Sequence, residues 1–206
     1  MTENHLIVFV KNPILGQVKT RLAHTVGEVM ALKVYTYLLF LTKNLCSQIA
    51  CQKHIYYSDF IPTSDIWDEL HPSIAVQDGQ TLGERMSNAI QNITLNGNNK
   101  CLLIGSDCPY ISPDLIHQAF DALDDTIDVV LGPAEDGGYY LIGMKKSYPF
   151  LFENIEWSSP NVMRQTLQQA RLLQLSCAFM PMLCDIDTEQ DWNQYLISNQ
   201  LQNFNV

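Results

Sequence analysis

Basic residues are scarce in this chain. Its 206 residues carry 12 Lys and Arg against 22 Asp and Glu, a formal net charge of −10. Binding a nucleic-acid backbone needs Lys and Arg clustered over a broad face, and the later segments are acid-rich, so nucleic acid is excluded as the main partner. Long hydrophobic runs are lacking too. The opening "MTENHLIVFVKNP" has no basic leader and only a five-residue apolar run, which fits neither a signal peptide nor a membrane span; a cytoplasmic protein without a membrane partner is expected. Cys46, Cys51, Cys101, Cys108, Cys177 and Cys184 contain no CxxC pair, which points to reduced thiols near the core and away from a disulfide framework or a zinc site. Two catalytic signatures are also missing. There is no GxxxxGK[ST] loop, because Gly16 precedes Lys19 by only three residues. No GxSxG elbow occurs, and none of the five histidines has a partner pattern, so serine-hydrolase chemistry is not expected.

What is present is an alternation of apolar runs and amphipathic stretches without repeats or linkers. With 47% hydrophobic and 17% charged residues, the chain can bury one good core, and residues 1–206 read as a single domain. Residues 5–10, 53–58, 73–77, 100–105, 128–134, 139–144 and 176–183 have strand patterning. Helical spacing runs through Val26, Met30, Val34, Tyr37, Leu41, Leu45 and Ile49, and recurs over 82–93, 114–123, 159–173 and 188–197, the last with Thr188 as a cap. Such alternation predicts an α/β fold, a mostly parallel sheet sandwiched by helices. Apolar residues of the helix over 26–49 serve a monomer core or a homodimer equally well.

Ligands of such sheets sit beyond the carboxyl ends of the strands. Four segments there carry chemistry. "FVKNPILGQVKTRLA" gathers Lys11, Lys19 and Arg21 around Pro13, Gly16 and Thr20, which suits convergence on phosphate oxygens. "GSDCP" places Asp107 where a hard carboxylate oxygen could hold Mg²⁺ or Mn²⁺, although an Asp in such a turn is also a common capping residue. "GPAEDGGYYLIG" offers Glu135, Asp136, Gly137, Gly138 and Tyr139 as either a hairpin turn or a polyol-binding turn whose aromatic covers a sugar face. "CDIDTEQDW" supplies Asp185 and Asp187, of which one at most is expected to reach the site, while the other, or Thr188, caps the last helix.

Taken together with "QDGQTLGERM" and the segment around Trp157, these motifs resemble a bacterial family of nucleotide-diphospho-sugar transferase fold, commonly labelled glycosyltransferase and in part linked to arsenosugar biosynthesis. The resemblance spans nearly the whole chain. It implies a Rossmann-like fold of the GT-A type, shared by metal-dependent glycosyltransferases and by nucleotidylyltransferases. It further implies that Lys11, Lys19 and Arg21, with Pro13, Gly16 and Thr20, handle nucleotide phosphates, and that Gln77 and Gly83 lie near the base. Asp107 and Asp187 are the metal ligands so implied, and Lys19, Arg21, Asp107 and Asp136 the catalytic set; Glu135 through Tyr139 and Trp157 fall to the acceptor or sugar.

Two departures from the family pattern bear on the chemistry. The D-x-D pair usual in glycosyltransferases of this fold is reduced to one Asp in "SDCP", which leans towards nucleotidyl transfer. The Gly-rich opening of the sugar pyrophosphorylases is also missing, which leans the other way. The expectation is therefore a transferase taking a nucleotide-activated donor, first a glycosyltransferase using a nucleotide-diphospho-sugar. A nucleotidylyltransferase releasing pyrophosphate and a catalytically silent nucleotide-binding protein are the alternatives.

Overall fold

Covering on both faces makes the apolar run at residues 6–10 the middle of a sheet. The structure, a computed structural model, describes residues 3–95 and 99–200. Its elements are β1 (Asn4–Val10), α1 (Thr20–Val26), α2 (Glu28–Ser47), β2 (Gln52–Tyr57), β3 (Ser73–Val76), α3 (Leu82–Thr94), β4 (Lys100–Ile104), α4 (Pro113–Ala122), β5 (Val129–Pro133), β6 (Tyr139–Met144), α5 (Val162–Leu172), β7 (Cys177–Phe179) and α6 (Glu189–Ser198). Successive side chains of β1 point to opposite faces. Leu6, Val8 and Val10 pack with Tyr35 and Leu39 of α2 and Ile116 and Phe120 of α4. Ile7 and Phe9 pack on the other face with Met86 and Ile90 of α3 and Ala170 of α5. A strand buried on both sides needs no polar alternation, which is why it reads as a continuous apolar run. Leu22, Val34, Leu38, Trp192 and Tyr195 form a further cluster joining α1, α2 and α6.

Among the described residues, seven strands run in the order β3-β2-β1-β4-β6-β5-β7. Only β6 is antiparallel to its neighbours, so the expected mostly parallel sheet is observed. From β1 the chain fills one side with β2 and β3, then returns to place β4 on the other side of β1. That reversal opens a crevice at the carboxyl ends of β1 and β4, where two of the four candidate segments begin.

Three sequence expectations are corrected. The helix expected over 26–49 is α2, begun after Gly27 at φ 84, and the short α1 before it was not expected. The strand expected over 176–183 stops at Phe179, with a lone bridge from Leu183 to Ala134; Pro181 has no N–H to continue a ladder. The helix expected from 159 starts at Val162, because the Ser159 hydroxyl donates to Glu156 O at 2.7 Å and accepts from Asn161 N at 3.2 Å, a local turn in place of the first helical turn. Capping signals hold at α6: the Thr188 hydroxyl accepts from Asp191 N while the Asp191 carboxylate accepts from Thr188 N, a capping box. All six cysteines are free thiols. Among the described residues, no helix is long and apolar enough to cross a membrane.

Candidate active site

The basic loop is held from below by a buried tyrosine. The Tyr35 hydroxyl accepts from Lys11 N at 2.8 Å and lies 3.1 Å from both Lys11 O and Ser106 Oγ, so it ties the loop after β1 to the turn after β4. Asn12, also buried, donates to Phe60 O at 2.9 Å and accepts from Asp59 N at 3.0 Å. The loop then leads to Lys19, which sits at the N-cap of α1 with φ 48 and ψ 46 and makes no side-chain cap. A left-handed lysine costs about 1–2 kcal/mol of backbone strain, so something must hold it there.

Ala23 N donates to Lys19 O at 2.8 Å, and the ammonium at the other end of the residue is fixed by a pair of carboxylates. Lys19 Nζ donates to Asp107 Oδ2 at 2.8 Å and to Asp187 Oδ1 at 3.1 Å, with only 3% of its side chain exposed. Burial by itself lowers a lysine, but the two carboxylates outweigh it and raise the ammonium above its ordinary value. Burial likewise pushes Asp107 up, and Lys19 overcomes it, leaving that carboxyl lowered. Arg21 adds a looser contact, its guanidinium 3.6 Å from Asp187 Oδ2. Asp187 reaches this place although it lies 80 residues beyond Asp107, because Ile186 N donates to Asp107 O at 3.1 Å and the Cys108 thiol to Cys184 O at 3.5 Å.

A cavity of about 390 Å³ opens over these groups, with Lys11, Lys19 and Arg21 facing Asp107, Asp136 and Asp187 across it. Its outer wall is the loop Ser158–Pro160, which rests on the β5–β6 turn. Gly137 makes that contact possible: its φ is 90, and a Cβ there would overlap Pro160 O. Met163 N donates to Gly137 O at 2.8 Å and fixes the same approach. Asp136 is oriented by Gly138 N, which donates to its Oδ1 at 2.8 Å. A second cavity of about 290 Å³ shares Lys11 and Asp107 with the first and extends past Gln77, Arg85, Tyr139, Tyr140 and Asp185, so the two form one cleft.

Lys11, Lys19, Thr20, Arg21, Asp107, Asp136 and Asp187 are thus brought together in the larger cavity, and Gln77 and Tyr139 in the smaller. Pro13, Gly16, Glu135, Gly138 and Trp157 line neither. Gln77 is partly committed, since its amide donates to Tyr56 O at 3.0 Å. Gly83 is buried beneath Trp157; a Cβ there would lie 2.6 Å from Trp157 Cζ2, so this pair is a packing contact at the start of α3. Glu135 has an exposed side chain and a backbone tie to Leu183 O at 3.0 Å. The expectation that at most one of Asp185 and Asp187 reaches the site is overturned: residues two apart share a face in an extended segment, with the buried Ile186 turned the other way, and Asp187 lines the larger cavity while Asp185 lines the smaller. Burial, followed by the charge of Asp107, pushes Asp185 up to about 7. Asp185, Tyr35, Ser158 and Ser159 are cleft residues that sequence reasoning did not assign.

Among the described residues, no group of three or more His, Cys, Asp or Glu is gathered to hold a metal ion. The Asp107–Asp187 pair nevertheless fits one, because two carboxylate oxygens from distant parts of the chain converge on a single cation, the Lys19 ammonium. Mg²⁺ typically takes one or two carboxylates and completes its shell with substrate phosphate and water.

Residues 41–159 match the family described as an uncharacterized protein conserved in bacteria, DUF2064. The chain belongs to the DUF2064 family. The crystal structure of a candidate nucleotide-diphospho-sugar transferase from Desulfovibrio desulfuricans G20 is 32% identical, with 99% of this chain and 90% of that chain aligned at a TM-score of 0.86. A nucleotidyl transferase from Methanothermobacter thermautotroptrophicus aligns over 98% of this chain and 100% of its own at TM-score 0.63 and 12% identity. CMP:2-keto-3-deoxy-manno-octonic acid synthetase complexed with CTP aligns over 97% and 100% at TM-score 0.59 and 10% identity. The last two share the fold alone. No curated protein matches the chain. This DUF2064 chain therefore has the nucleotide-diphospho-sugar transferase fold expected from its motifs.

Proposed function

We propose that this DUF2064 protein is a metal-dependent transferase that takes a nucleotide-activated donor, and that the donor is a nucleotide-diphospho-sugar from which it transfers the glycosyl group. The observation that carries this reading is the convergence of Lys11, Lys19 and Arg21 with Asp107 and Asp187 on one cavity at the carboxyl ends of β1 and β4. A protein at −10 must supply local neutralisation to accept a diphosphate. Lys11 and Arg21 contribute part of it from the rim. Asp107 and Asp187 would hold Mg²⁺ or Mn²⁺, which when bound stabilises charge on the departing diphosphate. Gln77 lies towards the base, and Tyr139 towards the sugar. Asp136, already oriented by Gly138 N, accepts the proton of the acceptor hydroxyl.

A second reading, nucleotidyl transfer to a phosphorylated acceptor with release of pyrophosphate, is favoured by one feature. The two facing carboxylates come from separate segments rather than from a D-x-D pair. Lys11, Lys19 and Arg21 then neutralise the triphosphate during in-line attack at the α-phosphorus. Thermal-shift titration with nucleoside triphosphates, diphosphates and diphospho-sugars, with and without Mn²⁺, separates these readings when followed by release assays. Metal-dependent stabilisation by a diphospho-sugar with diphosphate release supports glycosyl transfer; a triphosphate with pyrophosphate release supports the second. Stabilisation without turnover of any donor points to a silent binding protein, and no shift with any nucleotide removes the proposal.

A further inference from the structure

The position between the two candidate metal ligands is taken by a side chain of the protein itself. Lys19 Nζ hydrogen-bonds Asp107 and Asp187 at 2.8 and 3.1 Å, and its aliphatic stem is almost fully covered. A divalent ion bound to both carboxylates would have to stand where that ammonium stands, and two cations cannot share the place. Charge in the larger cavity is also balanced as it is, with three cations facing three carboxylates. A diphosphate entering alone adds uncompensated negative charge, and a divalent ion entering alone meets a carboxylate pair already neutralised in part. When both arrive together, the ion satisfies the carboxylates and the released ammonium finds phosphate oxygens in the same cavity.

We propose that Lys19 is the resident counter-ion of the Asp107–Asp187 pair and leaves it only when a diphosphate enters with the divalent ion, so that the two ligands bind as a unit. The inference rests on the metal-dependent reading above, and concerns the order of binding rather than the reaction. It accounts for one residue serving both the phosphate and the metal side of the site.

Protein-bound Mn²⁺, measured by electron paramagnetic resonance against protein-free titrations of Mn²⁺ with inorganic pyrophosphate, the diphosphate probe, tests it. The wild-type protein is expected to take up Mn²⁺ weakly alone and at least about tenfold more tightly with pyrophosphate present. Lys19→Met and Lys19→Gln are expected to bind Mn²⁺ alone at least about tenfold more tightly than wild type, because the competing charge is gone. Adding Asp107→Asn to either variant should abolish that gain. Wild-type uptake of Mn²⁺ alone that equals uptake with pyrophosphate overturns the inference, and this arm needs no variant to fold. So do folded Lys19 variants with unchanged or weaker Mn²⁺ binding. Failure of the underlying reading looks different: no Mn²⁺ uptake by any form, with or without pyrophosphate, removes the metal site and this inference with it.

Discussion

Replacing Gly137 by alanine tests how the outer wall of the cleft is held in place. The residue has φ 90, where L side chains are strained, and a Cβ would run into the backbone carbonyl of Pro160, which cannot rotate away as a side chain could. A left-handed conformation costs a non-glycine residue about 1–2 kcal/mol. Forcing extra atoms into a closed contact costs about 1–3 kcal/mol more. The sum, about 2–5 kcal/mol, corresponds in a chain of this size to a Tm lower by roughly 4–20 °C. Differential scanning calorimetry measures it, with Gly138→Ala as the control. Gly138 has no positive φ, and its nearest obstacle is the Asp136 carboxylate at 3.1 Å, the end of a side chain that can turn. The control should therefore shift Tm by no more than about 2–3 °C. The loop Ser158–Pro160 must also lift when Gly137 gains a Cβ, so pyrophosphate binding in the presence of Mn²⁺ should weaken in Gly137→Ala even well below its Tm. A Gly137→Ala protein that melts within about 2 °C of wild type would refute the close approach on which this reasoning depends.

Lys19→Ala should lower turnover by about a hundredfold or more in the release assay that the donor screen selects; full activity would remove Lys19 from the chemistry. Tyr35→Phe leaves Lys11 N and the buried Ser106 hydroxyl short of a partner, and should cost about 1–3 kcal/mol in urea unfolding. At the opposite end of the sheet, His5 Nδ1 and His54 Nε2 are 2.9 Å apart, and His54 Nδ1 lies 2.6 Å from Ser73 Oγ. Burial, then the neighbouring ring, lowers His54 to about 4, and burial lowers His5 as well. Both folded values lie below the unfolded value of about 6.5, so this pair's contribution is complete above that pH and is lost as the pH falls towards 4. Stability measured by chemical denaturation should therefore drop between pH 7 and 4.5, and His54→Gln should flatten part of that slope.

The architecture was legible because it rests on patterns that are local in the chain. Runs such as "HLIVFV" and "YYLIGM" are apolar enough to be covered on both faces, and helices between them leave a mostly parallel sheet as the economical arrangement. Where the reading slipped, one residue overrode a pattern. Gly27 sets apart the unexpected α1 from α2, and the local turn made by the Ser159 hydroxyl delayed the start of α5. The placement of Asp185 failed for a different reason: residues two apart share a face in an extended segment, so the spacing gave no ground for keeping Asp185 out of the site.

The candidate site divides along the same line. The sequence by itself determined which groups stand at the carboxyl ends of the strands, since Lys11 directly follows one apolar run and Asp107 stands three residues beyond the end of another. Only the tertiary structure decided who meets whom. The pairing of Lys19 with both Asp107 and Asp187 spans 88 and 168 residues, and no spacing rule reaches that far. Tyr35 as the strut beneath the basic loop and Pro160 against Gly137 were equally unreadable, because a buried tyrosine on a helix and a glycine in a turn each have commoner explanations. Local propensity is set by a residue and its near neighbours, whereas an ion pair or a close backbone approach exists only once the sheet has brought distant loops to one edge.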